Sequence, residues 1–510
     1  MKKISKNVLF NIFLVSFLFG IFVNNILESF TLSFYILVIF LVFSLNIFIY
    51  LNYKKLKFFI YWVFLILWFL WGSFVSQIYI SEYKNNIENL QIYDTSFQNN
   101  IKVEILDTYK IKDYNNEYVA RLLEINSNKL DENLKILWII KIAKNYKIKT
   151  WDIIESRAKF ELIKDFNEFE YKKFMLSKWI YFKSYFPFVE RVWEVKRNII
   201  LEKIDILREK SLEIIYKIYP KNEAIFLWGI LLWARESLPV ELKTNFNNSW
   251  LTHFIAVSGF NITILILFFW FLFKNFPWYI KLPLILIIIL LFTFLVWFTS
   301  PVIRASLMWW LAYIILILWR KSDVFTILVF VAFLMAFYSP YILNYDVSFA
   351  LSFLAVFGLV YAQDFWLKVF KFMPETLAIR EAFVLTLSAL TFTLPIMLLN
   401  FGQVSIMVPL ANVAVTWTIP IAMLLWFVSI IMYLINPVLW YFVWYFDWIF
   451  LKWDMLVVNF FWTKDYSILQ YDFGIYKNYI EIIYFILIIF IILYFGWNKV
   501  KQVDDINLIR

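Results

Sequence analysis

Apolar runs of about 18–20 residues, the length a helix needs to cross a bilayer, recur along this chain. Three apolar runs precede residue 81: Val8 to Val23, the shortest at 16 residues, Leu32 to Leu51 and Phe58 to Ile80. More follow beyond residue 222. The chain is 63% hydrophobic, with a mean hydropathy of +0.71, where a soluble domain is about 45–50% apolar. These runs predict an α-helical polytopic membrane protein. The first run ends in Asn24-Asn25 rather than at a small-residue cleavage site, so it is expected to be retained as a span.

Charge sets the expected orientation. Lys2, Lys3 and Lys6 favour a cytoplasmic N-terminus, and Lys54, Lys55 and Lys57 a cytoplasmic second loop. The third span then delivers residue 81 outside the cytoplasm. From Ser81 to Ile218 no spanning run occurs. Ile101 to Lys110 alternates as a strand, with Ile101, Val103 and Ile105 on one face and Lys102 and Glu104 on the other. Glu117 to Asn126 alternates in the same way, and Lys135 to Ala143 and Asp152 to Leu162 read as further strands. Several short strands in about 80 residues predict a small extracytoplasmic β domain, with an OB-like barrel as the leading candidate. Phe188 to Tyr219 reads as a long amphipathic helix. The expected organisation is three spans over 1–80, the β domain over 81–187, a helix over 188–221, a membrane domain over 222–497 and a polar tail over 498–510.

The net charge of +10 fits either basic cytoplasmic loops or a polyanionic partner. The chain has no cysteine and one histidine. That excludes disulfides, thiolate metal sites and histidine-rich metal sites, and no metal or cofactor is expected. The lone histidine, His253, stands in a polar cluster with Ser258, Gly259 and Asn261 at the start of an apolar run. Polar groups at membrane depth are costly unless paired or wet, so the cluster reads either as a broken, cavity-lining helix or as a helix cap. A hydrolase built on Ser258 and His253 is disfavoured, because five residues is a poor spacing for that pair and no third partner is evident.

The run His253-Phe254-Ile255-Ala256-Val257-Ser258-Gly259-Phe260-Asn261 resembles the signature of ComEC-type DNA-uptake channels. Other stretches resemble that family in the same order. Leu227 to Pro239 includes Arg235, Thr299 to Ala305 includes Arg304, and Asn344 to Phe353 includes Asp346, Phe349 and Ser352. Thr393-Leu394-Pro395, Phe401-Gly402 and Pro409-Leu410-Ala411-Asn412 complete the order. Ala350 replaces the family's glutamine. The resemblance implies a membrane channel importing single-stranded DNA in natural transformation. His253, Ser258, Gly259, Asn261, Arg304, Asp346, Ser352, Arg235 and Asn412 are its expected passage residues. It also implies single-stranded DNA as ligand, a DNA receptor or pilus outside, a helicase-type motor or single-strand-binding protein inside, and a cytoplasmic-membrane location. Homo-oligomers are compatible with it. The family's metallo-β-lactamase-like domain has no counterpart motif here, so no nuclease is expected of this chain. In the β domain, Tyr109, Lys110, Lys112, Tyr114, Tyr118 and Arg121 suit stacking and charge contacts with a single strand, and equally suit the solvated strand faces of a spacer. The alternative for the whole chain is a small-solute or ion transporter, whose usual inverted repeat is not visible.

One imbalance stands apart. Eight glycines accompany twenty-five tryptophans. Together the two counts approach the usual glycine content of about 7%. Tryptophan also stands at turn positions and at family glycines. This predicts that Trp151, Trp179, Trp233, Trp250, Trp309, Trp310 and Trp319 are glycines in the cell, encoded by UGA codons read as glycine.

Overall fold

A computed structural model describes residues 6–28, 56–91, 99–111, 115–126, 128–129, 137–143, 146, 148, 151–159, 161–165, 170–184, 188–193, 199–232, 246, 259–296, 300–317, 324–374, 379–405, 407–435, 439–462, 468–470 and 484. The second expected span and the polar tail lie outside them. In chain order the elements begin with α1 (Lys6–Leu27), α2 (Leu56–Gln91), β1 (Asn99–Ile111), β2 (Asn115–Ile125), β3 (Asn128–Lys129), β4 (Leu137–Ala143), β5 (Ile153–Ala158) and β6 (Glu161–Leu162). Then come α3 (Tyr171–Leu176), β7 (Ile180–Ser184), β8 (Phe188–Trp193), α4 (Ile199–Ile218), α5 (Lys221–Leu232), α6 (Gly259–Leu272), α7 (Trp278–Leu295), α8 (Ser300–Ile317) and α9 (Val324–Tyr338). The chain continues through α10 (Ile342–Tyr345), α11 (Val347–Tyr361), α12 (Gln363–Val369), α13 (Ile379–Phe401), β9 (Gln403–Ser405), α14 (Val408–Thr416), α15 (Thr418–Ile435), α16 (Leu439–Trp462) and β10 (Ile468–Gln470). Among the described residues, five helical stretches are long and apolar enough to cross a membrane: Leu9–Leu27, Phe64–Glu88, Trp278–Leu295, Ile379–Phe401 and Val408–Trp426.

The chain divides into two compact units, Met1–Arg208 with Leu286–Asp346, and Glu209–Ile285 with Val347–Arg510. In the first, α1 and α2 cross closely enough that only glycine fits. A Cβ at Gly20 would lie 2.1 Å from the Phe69 carbonyl oxygen, and one at Gly72 equally close to that of Phe17. α2 does not stop where its apolar run ends at Ile80. It continues to Gln91, because Tyr79 and Ile80, with Tyr83 and Ile87 a turn or two on, pack into the core of the β domain.

That domain is one mixed sheet in the order β6-β7-β4-β2-β1-β5-β8, with β3 beside β2. β1 and β2 are antiparallel neighbours, and β4 runs parallel to β7. The chain run 153–162 supplies strands on both sides of the order. Its start, β5, pairs with β1, and its end, β6, pairs with β7. Strands from this one run thus stand near both ends of the sheet order. Inward residues alternate as the sequence pattern dictates: Ile101, Val103, Ile105, Ala120, Leu122, Ile140 and Ile154 are buried.

The expected helix from Phe188 is corrected here. Its first six residues are strand β8, antiparallel to β5, and the helix starts at Ile199. Val189 faces the core while Glu190 and Arg191 are exposed, and Arg157 pairs with Glu190 at 2.6 Å. A vacant edge on β5 outweighs local helical spacing.

In the second unit α11 and α13 repeat the close crossing: a Cβ at Gly358 would lie 2.1 Å from the Ser388 carbonyl oxygen. α13 carries Pro395 within it and ends at Gly402, whose φ of 63° turns the chain into β9.

Candidate functional site

In the first unit, the stretch Asn344-Tyr345-Asp346 sits where a buried polar seam meets the β domain. α1 ends on Asn24 and Asn25, both fully buried, and α2 presents the equally buried Ser76. Asn24 Nδ2 donates to Ser76 Oγ (3.0 Å), whose hydroxyl donates to Asn25 Oδ1 (2.6 Å). Asn25 Nδ2 donates to the Pro340 carbonyl and to Asn344 Oδ1, both at 2.8 Å. Asn344 Nδ2 donates to the Phe22 carbonyl at 3.2 Å. Each amide thus finds partners on another element, as burial demands.

Tyr345 extends the seam outward. Its hydroxyl donates to the Asn25 carbonyl (3.2 Å) and accepts from Lys173 Nζ (3.0 Å). Lys173, on α3 of the β domain, also meets Glu28 at 2.9 Å and Glu170 at 3.2 Å. Ser339 Oγ donates to the Ser177 carbonyl at 2.7 Å, and Tyr79 donates to that of Leu176 at 2.5 Å. The β domain is therefore fastened to α1, α2 and the 339–346 turn by a set of specific bonds. The sequence signal for the seam was the Asn24-Asn25 pair, read there only as the end of a span.

Arg304 lies on α8 and is buried, as is Asp346, and Asp346 supplies the opposite charge that acts on it. Two charges withdrawn from water need one another or a third charged group. A guanidinium so placed is suited to a phosphate as well as to a carboxylate, because its fork of donors matches both. Next to it on α8, Ser306 Oγ bonds Thr293 Oγ1 of α7 at 2.9 Å.

The second unit holds the remaining described passage residues. Gly259 opens α6. Asn261 is fully buried and donates from Nδ2 to the Ile230 carbonyl on α5 at 2.8 Å. Asn412, on α14, donates to Thr386 Oγ1 of α13 at 3.2 Å. The Oδ1 atoms of Asn261 and Asn412 are buried and have no hydrogen-bond partner among the described residues. Ser352 is half-buried on α11. His253, Ser258 and Arg235 lie outside the described residues.

Two acids that sequence reasoning did not single out also belong to this unit. Asp447 and Asp454 on α16 are fully buried, and accept hydrogen bonds from Tyr219 and Thr418 respectively. Two aspartates seven residues apart in an apolar helix were a legible signal.

In the β domain, Tyr118 is corrected as a stacking candidate. It is 4% exposed, within the core cluster, and takes a hydrogen bond from Asn116 Nδ2 at 3.2 Å. Burial raises its phenol above the usual value, so it stays neutral and offers no face to a base. Arg121 is exposed and lies 3.7 Å from Glu104. Lys112 and Tyr114 lie outside the described residues, as do the side chains of Tyr109 and Lys110.

Apolar helices of membrane-spanning length, buried polar residues and a small β domain define a multi-pass membrane protein. The family model described as Competence protein matches residues 230–498, more than half of the chain, and the chain belongs to that family. No curated protein and no solved structure matches it.

Proposed function

We propose that this protein is a cytoplasmic-membrane channel that passes single-stranded DNA during natural transformation. The competence-family match over residues 230–498 carries the reading. The burial of Arg304, a cation on which Asp346 acts, supports it. A guanidinium in apolar surroundings suits a phosphate, because its fork of donors matches the phosphate oxygens. Residues 99–193 form an OB-like barrel on the outer side, which meets the strand first. A DNA receptor or pilus delivers the strand there, and a motor or single-strand-binding protein draws it in from the cytoplasm. The chain acts as a conduit and catalyses no bond cleavage.

The test is uptake of labelled duplex DNA by cells with and without the gene, with membrane insertion of the protein confirmed. Loss of nuclease-protected label in the deletion strain, restored by the gene, is expected. Equal uptake in both strains overturns the reading. A transporter of small solutes or ions is the second reading, and the buried Asp447 and Asp454 favour it, since intramembrane carboxylates commonly serve ion coupling.

A further inference from the structure

We propose that Asp447 and Asp454 are two proton-exchanging stations within the competence domain. They lie seven residues apart on α16, two turns along one face, about 10 Å along the axis. Both are fully buried. Each carboxylate is held at one oxygen by a hydroxyl. Tyr219 donates to Oδ2 of Asp447, and Thr418 donates to Oδ1 of Asp454. The other oxygen of each, Asp447 Oδ1 and Asp454 Oδ2, is buried and has no hydrogen-bond partner among the described residues. Ser429 is fully buried next to Tyr219.

Among the described residues of the helices packed against α16, no charge balances these acids. α14 and α15, which pack against α16, contain no charged residue, and α5 has only Lys221 and Glu223 in its first turn. Lys452 on α16 itself points outward over the Trp448 ring at 4.6 Å. A carboxylate in such a site is tolerated once a proton or cation neutralises it. A sodium ion would need some five or six oxygens around it, as hard cations do, whereas each aspartate has one hydroxyl beside it. The proton fits: it binds the vacant oxygen as O–H and leaves when that oxygen meets water, regenerating the carboxylate. The two stations, one above the other, define a path along α16.

Carbodiimide labelling tests this without DNA. Dicyclohexylcarbodiimide modifies protonated carboxyls in apolar surroundings. Purified protein in liposomes is expected to be labelled at Asp447 and Asp454, with the rate falling about tenfold per pH unit once the acids ionise. Asp447→Asn and Asp454→Asn each remove their own label, keep the other, and lower proton entry driven by an imposed pH gradient at least fivefold. Absence of label at both sites in folded protein, a rate independent of pH, or protection by sodium overturns the proposal. It is independent of the cargo: intact labelling with unchanged DNA uptake in the deletion strain would remove the channel reading and leave this one standing.

A different observation carries a second inference, that the residues written as Trp151 and Trp179 are glycines in the protein the cell makes. Among the described residues, four non-glycines have positive φ: Glu28, Asn126, Trp151 (72°) and Trp179 (63°). Asparagine is at ease there, but a tryptophan is not. Trp179 shares its φ with Gly402 and follows the end of α3, with its N–H bonded to the Leu176 carbonyl at 2.9 Å. That is where a helix takes its terminal glycine. Trp151 makes the turn into β5, its N–H on the Ile105 carbonyl at 2.5 Å, and its buried indole nitrogen has no partner among the described residues. Elsewhere Trp309, Trp310 and Trp417 splay outward, 39%, 36% and 49% exposed. With eight glycines in 510 residues, a UGA codon read as glycine accounts for all of this. Peptide mass spectrometry of protein from its own cells, over 150–157 and 179–183, is expected to give glycine masses. Tryptophan masses in those peptides overturn the inference.

Discussion

Gly20 and Gly72 make reciprocal backbone contacts: the hydrogen of each takes the place where a Cβ would stand 2.1 Å from a carbonyl of the opposite helix. Ser73 Oγ adds a hydrogen bond to the Gly20 carbonyl at 3.1 Å. Small residues at a crossing let membrane helices approach until dispersion and backbone polar contacts hold them. Gly20→Ala or Gly72→Ala pushes the helices apart and is expected to cost about 1–3 kcal/mol. Thermal unfolding of the detergent-solubilised protein measures it. Ser73→Ala, which adds no volume, should cost less than either; the reverse order would show that the glycines are not the limiting contact.

The polar seam behind this crossing makes a second prediction. Asn25 links α1 to the 339–346 turn through its amide nitrogen and to α2 through its amide oxygen. Asn25→Leu leaves the Asn344 oxygen, the Pro340 carbonyl and the Ser76 hydroxyl without their partner, and each buried orphan costs about 1–3 kcal/mol. By contrast Glu28→Gln, at the half-exposed end of the seam where Lys173 has three other contacts, should change stability by no more than about 1 kcal/mol. Denaturation of the two variants side by side checks the contrast, and equal losses would refute the ranking.

The seam also shows where the sequence was readable. Strand patterning located β1, β2, β4 and β5 to within a few residues: β1 and β2 alternate in sequence, whereas β4 is buried on both faces. It failed at β8, whose partner β5 lies thirty residues back and leaves no local trace. Hydropathy ended α1 at Val23 and α2 at Ile80, yet both continue, to Leu27 and Gln91. Hydropathy marks the lipid boundary, whereas a helix persists as long as other elements satisfy its polar side chains. The motif residues were legible as positions. Which of them touch was not, since Asn344 and Tyr345 proved to be fasteners while Asp346 acts on Arg304.

That division predicts distinct phenotypes. Removing the Arg304 side chain takes away the opposite charge that acts on the buried Asp346 and is expected to destabilise the fold. Arg304→Ala combined with Asp346→Ala should therefore be more stable than Arg304→Ala alone. Arg304→Lys keeps the charge but loses the planar fork. If the guanidinium also guides phosphates, the double alanine variant restores folding without restoring DNA uptake, whereas the lysine variant retains part of it. Recovered uptake in the double variant would confine Arg304 to a structural role. Membrane-fraction yield and labelled-DNA uptake, measured on the same cells, separate the two.

The β domain allows the sharpest discrimination between a DNA-contacting barrel and a spacer. Arg121 is exposed and lies within 3.7 Å of Glu104, while Lys102 lies 3.7 Å from Glu124. Each cation is thus partly neutralised by an acid across the β1–β2 pair. A single strand docking on this face has to compete with those acids for the cations. Glu104→Gln should therefore tighten binding, and Arg121→Ala should weaken it and lower the slope of log K against log salt by about 0.7 for one lost phosphate contact. Tyr118→Phe should leave binding unchanged, because the ring belongs to the core and its hydroxyl to Asn116. Fluorescence anisotropy with a labelled oligonucleotide and the full-length protein gives all three. If Arg121→Ala leaves both affinity and salt slope untouched, this strand face is a spacer surface.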